Sequence, residues 1–301
     1  MANLLLLALC MAAGVLLRKT GRFPAATPSA LNGFVIHLSL PAATILHIHR
    51  LRIAPELVAA ALSPWIVVLG AIPFFLWVGR AMELPRKTVG ALILLGGLGN
   101  TSFVGLPMIE TWYGKEWIGV GIVADQAGSF LALSTVGLAV AFRYSSGEAT
   151  WRQMTRRVLL FPPFQALVAA LLLRPVPFPA VAESVLQRLA DTITPLALVS
   201  VGFQLRLSGS GSVWKPLSAG LAWKLLLAPA AAAALFFGVF GLGGTEVRVA
   251  VFEAAMAPMI TAGIIASEHD LDPPLVAMML GIGIPLSFLT LGGWWWVLGR
   301  M

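Results

Sequence analysis

The chain has 301 residues, 58% of them hydrophobic and only 11% charged, with a formal net charge of +7. Soluble domains carry about 25% charged residues, because charge holds a surface in water. So sparse a set excludes a soluble globular protein. The basic excess does not mark a nucleic-acid partner either, since Lys and Arg sit in short loops between apolar runs, where they set topology. Cys10 is the only cysteine, which excludes an intrachain disulfide.

A helix needs about 20 apolar residues to cross a bilayer. Runs of that kind recur along the chain and predict ten spans, over 2–17, 30–48, 56–79, 88–110, 116–142, 157–173, 181–205, 215–241, 246–267 and 273–298. The runs are continuous and not alternating, which favours helices over a membrane barrel. In the first span the basic cluster Arg18, Lys19 and Arg22 follows the apolar run. That order suits a membrane helix and not a cleaved signal. The longest polar connection, Arg143–Arg157, with Ser145, Ser146, Gly147 and Glu148, leaves five spans on either side. Ser208–Ser212 reads as a flexible linker, because no Gly-Lys-Ser/Thr follows it.

Alternate loops differ in basic charge. One set holds Arg18, Lys19, Arg22, Arg80, Arg86, Lys87, Arg143, Arg152, Arg156, Arg157, Arg206 and Lys215. The other holds Arg50, Arg52, Lys115, Arg174, Arg188, Arg248 and Arg300. The richer set is cytoplasmic by the positive-inside rule, which puts both termini on the non-cytoplasmic side of the inner (plasma) membrane. Five spans per half give the halves opposite orientations, the arithmetic of an inverted repeat over 1–148 and 149–301. The second span of each half carries a proline motif, Leu38-Ser-Leu-Pro-Ala42 and Thr192-Ile-Thr-Pro-Leu196. The fourth span of each half carries a helix-breaking element, within Gly96–Pro107 and within Glu253–Pro258.

Proline removes a backbone donor and clashes with the preceding turn, and glycine frees the backbone. Gly96, Gly97, Gly99, Gly105 and Pro107 therefore predict a break in span 4. Broken backbone cannot face lipid, so it must be buried or line a cavity. The N-terminus of a half-helix attracts anions, and its opposite end offers carbonyls to a cation. Asn100, Thr101 and Ser102 add side-chain donors and acceptors there. Ionisable residues inside spans are costly, about 2.5–3.5 kcal/mol each at a helix centre, so they point to function. Glu253 in span 9 and Asp125 in span 5, with Gln126 beside it, qualify. Their structural alternatives are an interfacial position for Glu253 and an ion pair or interfacial position for Asp125. Lys224 in span 8 is expected to snorkel to the interface. His37 is expected to be buried, and Trp294, Trp295 and Trp296 to anchor an interface. No HExxH, GxSxG or phosphate-loop motif occurs.

Gly99-Asn-Thr-Ser-Phe-Val-Gly-Leu-Pro107 resembles the signature of the auxin efflux carrier family, and Ala124-Asp-Gln-Ala-Gly-Ser-Phe130 resembles its fifth-span segment. Glu253-Ala-Ala-Met-Ala-Pro258 and the following span resemble its C-terminal helix pair. The resemblance implies an all-α membrane protein of ten transmembrane helices, built as two inverted five-helix repeats in one membrane unit spanning 1–301. Broken helices 4 and 9 would cross, as in the bile acid sodium symporter fold. It implies a scaffold of spans 1, 2, 6 and 7, a transport core of spans 3–5 and 8–10, elevator-type alternating access and a homodimer in the lipid bilayer. It also implies a substrate carboxylate held by Asn100, Thr101, Ser102 and the backbone near Pro107, Met256, Pro258 and Thr261, with Pro41 and Pro195 on the other wall. More distantly, Glu253-Ala-Ala-Met256 is similar to the sodium-binding segment of the bile acid sodium symporters. That similarity implies a possible sodium site of Glu253, Asn100 and Thr101, with Asp125, Gln126, Ser129 and Thr135 in its surroundings. Ala257 and Pro258 replace amide side chains of those symporters, against a second sodium site. The expectation is a secondary active carrier of a small, carboxylate-bearing organic anion, coupled to sodium, with no cofactor and no nucleic-acid partner. A proton-coupled or uncoupled carrier is the alternative, and an intramembrane enzyme or a channel stands further off.

Overall fold

The computed structural model describes residues 2–51, 57–145, 152, 155–156, 159–205 and 213–301. Ser146, Gly147, Glu148 and the Ser208–Ser212 linker lie outside the described residues. Among the described residues regular structure is helical throughout, apart from one isolated antiparallel bridge, Gly99 to Pro258. The helices are α1 (Ala2–Lys19), α2 (Thr27–Arg50), α3 (Leu57–Ala81), α4 (Arg86–Gly97), α5 (Leu106–Trp112), α6 (Lys115–Tyr144) and α7 (Pro162–Leu172). They continue as α8 (Ala180–Ala190), α9 (Ile193–Gln204), α10 (Trp214–Val239), α11 (Thr245–Ala254), α12 (Ile260–Glu268) and α13 (Pro273–Leu298). A helix lies within every predicted span, and spans 4, 7 and 9 are each divided in two. By length and composition α2, α3, α6, α10 and α13 are long and apolar enough to cross a membrane.

Several long helices contain wide turns of the π type, and proline explains two of them. A proline lacks the N–H that the carbonyl four residues earlier would accept from. In α10 the wide turn Trp223–Leu227 precedes Pro229. The Leu225 carbonyl that Pro229 leaves free accepts instead from Trp294 Nε1 of α13 at 2.8 Å. Trp294, half-buried, thus spends its indole N–H inside the protein, whereas Trp295 and Trp296 are exposed. In α2 the wide turn Val35–Ser39 precedes Pro41 in the same way.

The chain divides into two compact units. The first takes Met1–Ile53, Ser102–Ile122 and Arg157–Leu205. Its tightest feature is the approach of α1 to α9. A Cβ on Gly14 would stand 2.2 Å from the Val199 carbonyl oxygen, and one on Gly202 would stand 2.2 Å from that of Met11. Backbones come this close only where side chains are missing, which in a membrane supplies packing that hydrophobicity cannot. Hydrogen bonds add direction: Ser39 Oγ meets Thr192 Oγ1 at 2.6 Å, and Ser200 Oγ donates to Asn32 Oδ1 at 2.6 Å.

The second unit takes Ala54–Thr101, Val123–Arg156 and Arg206–Met301. Every residue of α4 from Thr88 to Gly97 is buried, so this helix has no lipid or water face and forms the centre of the unit. Phe75, Leu92, Leu95, Leu217, Met279 and their neighbours pack one apolar core around it. The start of α13 is capped by Asp272, at a left-handed φ of 48°. Its Oδ1 accepts from Leu275 N at 3.2 Å, and its Oδ2 accepts from Thr88 Oγ1 of α4 at 2.6 Å. Replacing Asp272 by Ala removes the cap, orphans the Thr88 hydroxyl and puts a Cβ-branching-free but αL-averse residue at positive φ. The expected cost is about 2 kcal/mol, read as a drop of several degrees in Tm, with Asp272→Asn retaining most of the stability.

Candidate functional site

The second unit contains a crossing of two interrupted helices. After α4 ends at Gly97 the chain is extended at Leu98, and after α11 ends at Ala254 it is extended at Met259. The two interruptions pair with each other. Asn100 N donates to the Ala257 carbonyl at 2.8 Å, and Met259 N donates to the Leu98 carbonyl at 3.0 Å. Gly99 and Pro258 lie opposite one another between these bonds. Backbone groups that each break orphans are thus satisfied by the other break, the requirement for interrupted helix away from water. Pro258, with no N–H to offer, occupies a place in this short ladder where no donor is used.

A polar cluster surrounds the crossing. Asn100, Thr101, Asp125, Gln126, Ser129, Lys224 and Glu253 are all buried. Thr101 Oγ1 donates to Asp125 Oδ1 at 2.6 Å. Asp125, Gln126 and Ser129 lie on a wide turn of α6, Ala124–Phe130, the kind of distortion that often marks a functional position in a helix. Helix α3 seats the crossing from one side: Ser63 Oγ donates to the Ala250 carbonyl at 2.6 Å and Trp65 Nε1 to that of Ala127 at 3.0 Å. Thr101→Val keeps the shape but removes the donor to Asp125. It is expected to destabilise the unit by about 1.5–3 kcal/mol, the range for a hydrogen bond to a charged group, measured by denaturation in detergent.

Glu253 is 1% exposed and sits at the C-terminal end of α11, not at its start. Its interfacial alternative is therefore set aside. Neither of its carboxylate oxygens accepts a hydrogen bond among the described residues, and Ser129 Oγ is likewise without a partner. Lys224, on the wide turn of α10, is 1% exposed, and its Nζ donates to the Ala254 carbonyl at 2.9 Å. This corrects the expectation that Lys224 snorkels: its chain length carries the ammonium inward to a helix end. His37 is corrected in the opposite sense, being exposed, with Nδ1 against its own helix at Gly33 O, 2.9 Å.

The sequence-derived residues divide between the units. Asn100, Thr101, Asp125, Gln126, Ser129, Glu253, Met256 and Pro258 are buried in the second unit, where Thr261 is half-buried in the first turn of α12. Thr135, also there, commits its hydroxyl proton to Leu131 O of its own helix at 2.7 Å. Ser102, Pro107, Pro41 and Pro195 belong to the first unit. Pro107 follows directly on the wide turn Thr101–Gly105 with which the helix resumes, and Pro195 stands in the first turn of α9, where a missing N–H costs nothing.

A second polar group in the first unit escaped the reading of the sequence. Lys115 Nζ is 2.7 Å from Asp191 Oδ1 and 3.6 Å from Glu110 Oε1, and Thr194 Oγ1 donates to Glu110 Oε2 at 2.8 Å. Glu110, Asp191 and Thr194, with His47 and Gln187, line a small cavity. The signal available was the charge of Glu110 and Lys115 at span ends, which by itself reads as ordinary interfacial charge, and that of Asp191 within the predicted span 181–205.

Helical throughout, rich in apolar segments and holding a buried polar crossing of broken helices, the protein is a multi-pass membrane protein. The chain belongs to the membrane transport protein family, whose family model matches residues 1–295 and which is the auxin efflux carrier family that the motifs resemble. It is similar to an uncharacterized transporter of Methanothermobacter thermautotrophicus, 27% identical over 287 residues, covering 93% of this chain and 92% of the relative. An uncharacterized transporter of Methanocaldococcus jannaschii is 25% identical over 285 residues, covering 89% of each chain.

Proposed function

We propose that this transporter is a secondary active carrier of a small, carboxylate-bearing organic anion, with its coupling site at Glu253. The observation that carries the reading is the paired interruption at Gly99 and Pro258, with buried Asn100, Thr101, Asp125 and Glu253 around it. Interrupted helices give a carrier both signs of partial charge at one depth. The half-helix α12 offers N–H groups to the anion near Pro258 and Thr261, and Asn100 offers its amide. Met256 shapes the pocket between them. Ser102, Pro107, Pro41 and Pro195 are assigned to the substrate path on the resemblance alone.

The chain works by elevator-type alternating access on ten transmembrane helices in two inverted repeats, as a homodimer in the plasma membrane with both termini outside. The division of the chain into two separately compact units supports a scaffold and a moving core. Coupling has two possible forms. A sodium ion would use the Glu253 carboxylate with Asn100 and Thr101, near Asp125, Gln126, Ser129 and Thr135. A proton would use a carboxylate alone, and the Lys224 ammonium at the same crossing favours this second form.

The test is uptake of labelled small carboxylates into proteoliposomes under imposed sodium or proton gradients. Asn100→Ala is expected to raise the half-saturating substrate concentration about 10-fold, one lost hydrogen bond to a charged group. An unchanged concentration dependence in Asn100→Ala, with full uptake, would remove the amide from the substrate site.

A further inference from the structure

Away from the crossing, α10 and α13 of the second unit enclose an apolar groove of about 330 Å³. Leu217, Leu221 and Leu225 form its buried floor, and Trp214, Leu226 and Leu286 stand exposed at its rim. Ala222, just before the wide turn Trp223–Leu227, also lines it, and so small a side chain leaves the groove its depth. Two hydroxyls line it as well, and both are spent on their own helices. Ser218 Oγ donates to the Lys215 carbonyl at 2.9 Å, and Thr290 Oγ1 to that of Ser287 at 3.2 Å. The Leu225 carbonyl that Pro229 leaves free is closed by Trp294 Nε1. A groove whose polar groups are committed in this way suits hydrocarbon and not the small carboxylate assigned to the crossing.

Its length and its two ends narrow the occupant further. From Trp214 to Leu226 the groove follows α10 for twelve residues, about 18 Å at about 1.5 Å per residue. One leaflet of a bilayer holds about 15 Å of hydrocarbon, half of a core about 30 Å thick. The groove is thus as long as one acyl chain lying in one leaflet. At its Trp214 end stands Lys215, exposed and in no ion pair among the described residues. Lys215 shares a helix face with Ser218, three residues on, and Ala222, seven residues on, both of which line the groove. A tryptophan and a lysine together form the surroundings of an anionic headgroup at the membrane interface. The far end, at Leu226 and Leu286, is aliphatic. One charged end and one hydrocarbon end is the polarity of a lipid. Lys215 belongs to the set of loops that the positive-inside rule makes cytoplasmic, which is the leaflet rich in anionic lipid.

We propose that the groove between α10 and α13 is a binding site for one anionic phospholipid of the cytoplasmic leaflet. One acyl chain lies along Leu217, Leu221 and Leu225, and Lys215 holds the headgroup phosphate beside Trp214. The bound chain ties α10 to α13, so occupancy stabilises the second unit. The inference needs only that the protein lies in a bilayer, and it does not depend on what the carrier moves.

The test uses the purified full-length chain in detergent, titrated with dioleoyl phosphatidylglycerol or dioleoyl phosphatidylcholine. Native mass spectrometry counts the retained lipid, and stability is read as Tm. One phosphatidylglycerol should be retained per chain, with a rise in Tm of about 3 °C or more. Phosphatidylcholine should bind about 5-fold more weakly, and Lys215→Gln should bring phosphatidylglycerol to that same level. Ala222→Phe, which puts a ring into the groove, should abolish tight retention of both lipids. If Ala222→Phe cannot be purified, Ser218→Phe, at an exposed position of the same wall, should give the same loss. Unchanged retention of phosphatidylglycerol in a folded groove-filling variant overturns the proposal. Equal affinity of the wild type for the two lipids overturns it without any variant. A wild-type dimer that groove filling turns into a monomer also overturns it, and gives the groove to a second copy of the chain.

Discussion

Glu253→Gln is expected to lower gradient-driven uptake about 100-fold in proteoliposomes while leaving the protein folded. The amide is nearly the same size as the carboxylate, so packing at the end of α11 is kept. What is lost is the one buried charge whose oxygens accept no hydrogen bond among the described residues. A buried charge that meets its counter-ion contributes roughly 3 kcal/mol to that encounter, and 1.4 kcal/mol is tenfold. The variant is expected to retain exchange of substrate at equal concentrations, because exchange needs the substrate site and not the driving ion. Glu253→Gln uptake that follows the ion gradient as in the wild type would remove the coupling role from this residue. Equal loss of gradient-driven uptake and exchange would place it in the substrate site instead.

Gly202→Leu should prevent the first unit from assembling. A Cβ at this position would lie 2.2 Å from the Met11 carbonyl oxygen, and 3.0 Å from the carbonyl carbon behind it. The obstacle is backbone, which cannot rotate aside as a side chain would. Helices α1 and α9 would have to separate along their length, and Gly14, whose own Cβ would meet the Val199 carbonyl oxygen at 2.2 Å, shows that the contact is tight on both sides. Overpacking costs about 1–3 kcal/mol where side chains can adjust, so the cost here is expected to be about 3 kcal/mol or more. In detergent this should appear as loss of the monodisperse peak in size-exclusion chromatography. Gly293→Leu is the control, because a Cβ there meets nothing within 4 Å. A monodisperse Gly202→Leu protein with wild-type Tm would show that the α1–α9 contact is not needed.

Membership of the transporter family and the helical, membrane-embedded character of the chain were legible in the residues. Both depend on local quantities: how long an apolar run is, where charges interrupt it, and where Gly and Pro break it. The breaks at Asn100 and Pro258 could be located for the same reason. Their detailed limits could not. Pro107 belongs to the resumed helix, just after its opening wide turn Thr101–Gly105, and not to the gap, because helical backbone can restart as soon as the extended Leu98–Asn100 stretch has paired. The cluster of Glu110, Lys115, Asp191 and Thr194 was hidden because its two halves lie far apart in sequence and neither forms a recognisable motif.

Lys224 marks the boundary between the two kinds of information most sharply. A single lysine in an apolar helix can extend toward the lipid headgroups or turn to a partner inside, and its immediate neighbours Trp223 and Leu225 are compatible with both. The sequence by itself determined a transporter of membrane helices with two interruptions, because length, hydrophobicity and backbone chemistry are properties of single segments. Only the tertiary structure decided that Gly99 faces Pro258 and that the ammonium of Lys224 closes on the Ala254 carbonyl between them. That choice depends on which helix ends meet, and a cation is drawn to the free carbonyls at a helix C-terminus.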